Sequence, residues 1–395
     1  MTGPNRVHIS DLRGGARLAV DATAGVVDAV ERMHRTIQLR RGPLGRPADS
    51  PTQGITGLVY RSIRGVTRVV GRGIDASLAP LLDALPEGRS SPRRDAIVSA
   101  LNGVYGDYLV RTDNSLAIEM SLRRQGRRLD AASPLGAFDE MGGPAPTGKV
   151  LVLVHGLCMN DLQWTQEGYS HGEVMASELG YTPLHLRYNT GLHVGENGYC
   201  FAALLETLIE HWPRPVEELA IIGHSMGGLV ARSACHYGGK RDHAWLKSLR
   251  KLVFLGTPHH GSPLERGGHG LDYLMDLSPY SAPLASLGKV RSAGIQDLRH
   301  GTITTGGHRF VRLPAGVNCY AAAATVGTRR GVLADRLIGD GLVPLDSALG
   351  RHSDRAMTLG FPRERQWIGY EMRHLELLYR PEVNKQLLNW LQEPV

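Results

Sequence analysis

The sequence predicts an α/β protein with a mostly parallel central sheet flanked by helices, and three observations predict it. After Asn114, short apolar runs alternate with helical stretches, the pattern of strands buried on both faces. One run, Val150-Leu151-Val152-Leu153-Val154, is apolar throughout and leads directly into His155-Gly156. A second, Leu219-Ala220-Ile221-Ile222, leads into a glycine-flanked serine and then a helix-compatible stretch, Gly228 to Ala234.

The elements follow in order. Leu116 to Leu122 alternates apolar and polar residues, and Gln125-Gly126 reads as a turn. The clearest strands are Val150–Val154, Leu219–Ile222, Lys251–Leu255 and Val317–Ala321. Gln366 to Tyr370 reads as a last strand, and Leu375 through Trp390-Leu391 as a closing amphipathic helix. A long stretch, 261–312, carries Leu264, Leu271, Leu274, Met275, Leu277, Tyr280, Leu284 and Leu287 after a core strand. It reads as a helical cap over a pocket, which excludes water and admits an acyl chain. Helices packed on the outer face of the sheet would give the same composition.

The chain has 395 residues, which suits one or two domains, and a formal net charge of +7 that is unevenly placed. Residues 1–112 hold 16 Arg, no Lys and 10 acidic residues, a surplus of six positive charges. This stretch reads as an additional helical region, separate from a catalytic domain over 113–395. One stripe runs through Leu18, Val26, Val27, Val30, Met33 and Ile37. A second runs from Ile55 to Leu78, with Arg61, Arg64, Arg68 and Arg72 on its other face. A third helix is expected from Pro92 to about Tyr108. The second helix suits either an anionic membrane surface or packing on its own domain. No nucleic-acid partner is expected.

Four widely spaced cysteines, Cys158, Cys200, Cys235 and Cys319, form no CxxC pair and read as free thiols, the buried kind by default. The first 14 residues have no apolar h-region, and no stretch reaches ~18 apolar residues. A cytoplasmic location, with peripheral membrane contact open, is the expectation.

The pattern Gly-x-Ser-x-Gly occurs twice, at Gly223-His224-Ser225-Met226-Gly227 and at Gly168-Tyr169-Ser170-His171-Gly172. Context separates them. A nucleophilic serine needs a sharp turn between a buried strand and a helix, with small neighbours where backbone segments crowd. Ser225 has that setting. Ser170 follows Thr165-Gln166-Glu167-Gly168, without strand character, and reads as a loop serine.

Acyl transfer also needs N–H donors aimed at the developing oxyanion. The N–H of Met226 is one candidate, and Leu157, in the loop after Val154, is the other. A plain strand end with a glycine turn would look the same locally, but the order of segments suits the chemistry. The base should lie after the last strand and before the closing helix, where His374 sits. His352 is the main rival, while His259 and His260 come too soon. For the acid, Asp340 lies in a glycine-flanked turn, Gly339-Asp340-Gly341-Leu342-Val343, with Asp346 as fallback.

Together, His155-Gly156-Leu157, Gly223-His224-Ser225-Met226-Gly227-Gly228, Gly256-Thr257-Pro258-His259, Asp340-Gly341-Leu342-Val343 and His374-Leu375-Glu376 resemble bacterial lipases and esterases of the α/β-hydrolase superfamily. The resemblance covers residues 113–395 and implies that Asp340 is the triad acid and His374 the base. Some lipases of this type bind a structural calcium near the histidine loop. Glu376 has a ligand-like place here, but no second carboxylate matches, so neither metal nor cofactor is expected.

The expected activity is hydrolysis of a hydrophobic ester by Ser225, His374 and Asp340, with Leu157 and Met226 forming the oxyanion hole. His155, Leu271 and Met275 are assigned to the pocket and cap. The same triad serves thioesterases, amidases, polyester depolymerases and acyltransferases, which the sequence does not separate. A non-catalytic, membrane-associated binding protein on the same fold is the reading from another class.

Overall fold

Strand β3 (Lys149–Val154) shows why a run without alternation still has two faces. Val150, Val152 and Val154 enter one hydrophobic cluster, whereas Leu151 and Leu153 enter another on the opposite side. Side chains alternate with period two, so a strand covered on both sides must be apolar at every position. A computed structural model describes residues 14, 92–141, 144–166, 168–262, 292–306, 310–328 and 339–394. It divides into two compact units, residues 1–90 with 109–117, and residues 91–108 with 118–395. In the first unit, Asn114 Nδ2 donates to the Gly14 carbonyl at 3.2 Å.

The second unit is built on an eight-stranded sheet. Its strands are β1 (Ser121–Arg124), β2 (Arg127–Leu129), β3, β6 (Thr182–Arg187), β7 (Glu218–His224), β8 (Leu249–Leu255), β9 (Asn318–Thr325) and β10 (Gln366–Tyr370), in the order β10-β9-β8-β7-β3-β6-β1-β2. The six from β10 to β6 are parallel, and the β1–β2 hairpin adds antiparallel to β6. Gln125 and Gly126 both have positive φ at the hairpin turn, 50° and 76°. Such a turn matches the twist of the two strands.

Helices α1 (Pro92–Arg111), α2 (Pro134–Met141), α3 (His171–Leu179), α4 (Val194–Glu210), α5 (Met226–Lys240), α6 (Ala293–His300), α7 (Leu345–Ala348) and α8 (Pro381–Gln392) accompany the sheet. Residues of α4 and α5 fill one cluster through Phe201, Leu205, Leu229 and Val230. Residues of α3 and α8 fill the other through Met175, Val383, Leu387 and Trp390. The closing helix begins later than its apolar stripe suggests. His374–Leu378 forms a short 3₁₀ turn, and α8 starts at Pro381. Proline has no N–H to donate and fits the first helical position, so the two pieces separate there.

Residues 263–291, with Leu271 and Met275 of the expected cap, lie outside the described residues, as do nearly all of 1–91 with both basic stripes. Among the described residues, no helix is long and apolar enough to cross a membrane.

Candidate active site

Ser225 follows β7 and immediately precedes α5, with φ 53° and ψ −123°. A non-glycine residue in that region is strained by about 1–3 kcal/mol and needs surroundings that over-determine it. Two backbone hydrogen bonds hold it: Ser225 N–H donates to the Leu255 carbonyl at 2.8 Å, and Gly228 N–H to the Ser225 carbonyl at 3.1 Å. The glycines of the motif answer to close approach. A Cβ on Gly227 would collide with the carbonyls of Val154 and His155, and one on Gly228 with Thr257 Oγ1. Ser170, by contrast, has extended backbone (φ −145°) in a separate two-residue ladder of β4 (Thr165–Gln166) with β5 (Tyr169–Ser170). It is therefore a short-strand residue ahead of α3, where the sequence suggested a loop, and it has no elbow geometry.

The loop after β3 passes over the serine, since a Cβ on Gly156 would stand 3.1 Å from Ser225 Cβ. Three contacts fix its path. Tyr188 O–H donates to the His155 carbonyl at 2.8 Å, Cys158 N–H donates to Thr190 Oγ1 at 3.2 Å, and Met159 N–H donates to the Gly156 carbonyl at 3.3 Å. Cys158 itself turns the chain with φ 58°. Leu157 and Met226 are both buried, and Met226 opens α5, where backbone N–H groups have no intrahelical partner. His155 is fully buried and stacks on Tyr188 at 4.5 Å between ring centroids, so its ring supports the loop from within. Burial pushes its pKa down to about 3, partly offset by the Nδ1 hydrogen bond to the Gly156 carbonyl.

His374 opens the turn after β10, and its Nδ1 lies 2.6 Å from Oδ2 of Asp340. The other carboxylate oxygen, Oδ1, accepts from the N–H groups of Leu342 (3.0 Å) and Val343 (2.8 Å). Those two bonds follow from the turn Gly339-Asp340-Gly341, in which both glycines take positive φ. A carboxylate only accepts, so Nδ1 carries the proton and Nε2 the lone pair. Nε2 is buried and has no hydrogen-bond partner. Both residues are almost wholly buried.

Gly256 joins the serine to this pair. Its neighbour Leu255 receives the Ser225 N–H, and a Cβ on Gly256 would lie 2.9 Å from His374 Cε1. Ser225 and His374 thus follow the carboxyl ends of β7 and β10, Asp340 is held beside the end of β9 by Val326 N–H donating to the Gly339 carbonyl at 3.0 Å, and Leu157 lies beyond the end of β3.

Two supports were not read from the sequence. His224 stands at 4.6 Å from the His374 ring, and its Nε2 donates to the His374 carbonyl at 3.2 Å. Burial first, and then the neighbouring His374, lowers its pKa well below that of a free imidazole, so the ring is neutral. Residues 92–108 of α1 clamp the loop after β3. A Cβ on Gly103 would strike Cys158, Asn160 Nδ2 donates to Ser99 Oγ at 3.2 Å, and Asp95 pairs with buried Arg187 at 2.7 Å. The spacing of Gly103 and Gly106 was the available signal.

The rivals lie elsewhere. His352 is exposed, and Asp346 sits in α7 with Arg351 at 3.6 Å. His259 is buried against Arg232 and Phe254. Glu376 accepts from Arg373 N–H at 2.6 Å and pairs with Arg380, which makes it a cap for its own turn. Among the described residues, no three His, Cys, Asp or Glu side chains gather as a metal site. Cys158, Cys235 and Cys319 are buried thiols, while Cys200 is exposed.

Residues 196–319 match the PGAP1-like alpha/beta domain family. No curated protein matches the chain in sequence. Among solved structures it is similar to the mature lipase BlEst2 of Bacillus licheniformis, at 18% identity and TM-score 0.42 over 63% of this chain and 93% of that one. It is similar also to a metagenomic carboxyl esterase, at 20% identity and TM-score 0.36 over 75% and 87% of the two chains. A Pyrococcus furiosus esterase gives 16% identity and TM-score 0.38 over 62% and 82%. The fold assignment stands on the family match together with the parallel sheet and the elbow at its centre: the chain has the α/β-hydrolase fold.

Proposed function

We propose that this protein is a serine-dependent carboxylic ester hydrolase that works through an acyl-enzyme on Ser225. The observation that carries the proposal is the 2.6 Å bond from His374 Nδ1 to Asp340, which leaves the Nε2 lone pair unused beside the elbow. In this reading Ser225 Oγ attacks the ester carbonyl while Nε2 takes its proton. Asp340 stays ionised, fixes the tautomer and stabilises the imidazolium. The carbonyl oxygen becomes an oxyanion and accepts from the N–H groups of Met226 and Leu157. Collapse expels the alcohol, protonated by His374, and a water activated by the same imidazole releases the acid.

The substrate class follows from the apolar stretch 261–312, read as a cap over a hydrophobic acyl group. The Arg-rich residues 1–112 are proposed to touch an anionic membrane surface, which co-sedimentation with anionic against neutral vesicles would test.

The decisive experiment is turnover of p-nitrophenyl esters from acetate to palmitate by wild type and Ser225→Ala. Turnover lost on substitution supports the proposal, and the best chain length sizes the pocket. Undiminished turnover in the variant removes Ser225 from the chemistry. Turnover of a thioester or amide with no ester activity would favour the corresponding hydrolase on the same triad.

A further inference from the structure

Among the described residues, Arg232 is a buried cation without a counter-ion. It lies on α5, two turns beyond Ser225, and is 4% exposed. Among the described residues no carboxylate pairs with it, and burial lowers its pKa to about 10, so it keeps its charge at neutral pH. Nη2 donates to the Val311 carbonyl at 2.6 Å, Nη1 faces His259 Nδ1 at 3.2 Å, and Nε, fully buried, has no partner. An ionised group removed from water without a partner is costly, so such groups are ordinarily paired.

The contact with His259 sets a tautomer. A guanidinium only donates, so Nδ1 of His259 accepts and its proton resides on Nε2. That N–H is buried, in a residue 3% exposed, and lacks an acceptor. Two orphaned donors, Arg232 Nε and His259 Nε2, thus belong to side chains lining one cavity of about 120 Å³. His260 and His352 line it too, with ring centroids 4.9 Å apart. His352 follows the same logic, because Asp354 N–H donates to its Nδ1 at 3.0 Å and leaves Nε2–H to donate. These three donors and one fixed positive charge belong to side chains that line one space, in which no carboxylate is found among the lining residues. A divalent cation is excluded by the arginine, whereas a compact oxyanion supplies both the negative charge and the acceptor atoms.

We infer that the cavity of Arg232, His259, His260 and His352 is a binding site for a tetrahedral oxyanion, either free phosphate or the phosphate group of a phosphorylated ester. His259 is three residues past Gly256, whose backbone abuts His374, and three residues span at most about 11 Å. The cavity is thus tied through a short backbone link to the residue packed on the proposed catalytic imidazole. The inference itself does not depend on the ester-hydrolase reading.

The test is titration of the full chain with inorganic phosphate, followed by calorimetry and by melting temperature, with sodium chloride at matched ionic strength as the reference. It is run on wild type, Ser225→Ala, His259→Phe and the exposed-rim variant His352→Ala. Saturable phosphate binding is expected in wild type and in Ser225→Ala. One charge-assisted hydrogen bond lost should weaken it about tenfold in His259→Phe. His352→Ala gives the same direction with a smaller change and serves if His259→Phe does not fold. Absence of phosphate-specific binding to wild type overturns the site, as does binding left unchanged in the variants that fold. Neither result bears on ester turnover, and failed ester turnover does not touch the phosphate titration.

A second measurement separates the two sources. Phosphate that competes with a lysophosphatidic acid ester but not with p-nitrophenyl butyrate, with KM alone raised by His259→Phe, assigns the site to a phosphorylated substrate. Phosphate binding that leaves both esters unaffected assigns it to the free anion.

Discussion

Oδ1 of Asp340 accepts two backbone N–H groups, from Leu342 and Val343, while Oδ2 faces His374 Nδ1 at 2.6 Å. The two oxygens are therefore not interchangeable. An asparagine in this place keeps its carbonyl oxygen on the two N–H groups and turns its NH₂ toward His374. Nδ1 must then accept, and the proton moves to Nε2, the wrong nitrogen for a base. Asp340→Asn is expected to lower kcat by about 10³–10⁴ with folding retained, as read by single-turnover kinetics beside a thermal melt.

Ser225 sits at φ 53° and ψ −123°, a conformation that glycine adopts without strain. Ser225→Gly should therefore abolish ester turnover and raise stability by about 1–3 kcal/mol in urea unfolding. A variant that loses both activity and stability would show that the hydroxyl holds the elbow together.

Gly228→Ala places a methyl group against the Thr257 side chain, with Phe254 also in contact. The substitution should cost about 1–3 kcal/mol, the usual range for overpacking. Thr257→Ala in the same chain removes the nearest collision, so the double variant should recover part of the loss. The coupling energy from a double-mutant cycle measures it.

His155 is buried and neutral, with its pKa pushed down to about 3. Unfolded, it binds a proton near pH 6.5. Between those values the unfolded state holds more protons, so stability rises with pH there and falls as the solution is acidified. The slope from this one group approaches 1.4 kcal/mol per pH unit, roughly 2 kcal/mol between pH 7 and 5. His155→Phe should lose about that much less than wild type over the same interval, as read by urea midpoints at both pH values.

Most of the sheet was legible because a strand buried on both faces must be apolar throughout, and β3, β7 and β8 leave little else to read. β9 extends to Thr325, past the expected Ala321, because four successive alanines give no contrast by which to place an end. Ser225, Asp340 and His374 were singled out by chain order and local turn chemistry, and the structure brings the last two to 2.6 Å. What escaped was support from distant segments. His224 was visible as a motif residue, yet its bond to the His374 carbonyl spans 150 positions. Residues 92–108 meet the sheet through Gly103 against Cys158, Ser99 with Asn160 and Asp95 with Arg187, contacts between positions about 55 to 90 apart in sequence that no local pattern announces. The buried Arg232 looked like any arginine on an amphipathic helix, since the lack of an acidic neighbour is a fact of three dimensions.

Among the described residues, the sheet order places β10 at an edge, hydrogen-bonded on one side to β9 alone. Ser225 leaves the middle of the sheet, whereas His374 leaves this rim. The two halves of the proposed proton relay therefore rest on parts of the fold with different resistance to opening. Peeling of β10 removes the base while the central strands stay closed, a sub-global event of lower free energy than full unfolding. Hydrogen exchange should find the amides of Gln366–Tyr370 less protected than those of Glu218–His224. Esterase activity should then fade at lower denaturant than the far-ultraviolet signal. Wear at the sheet's margin, rather than collapse of its centre, is then expected to set how long the proposed activity lasts.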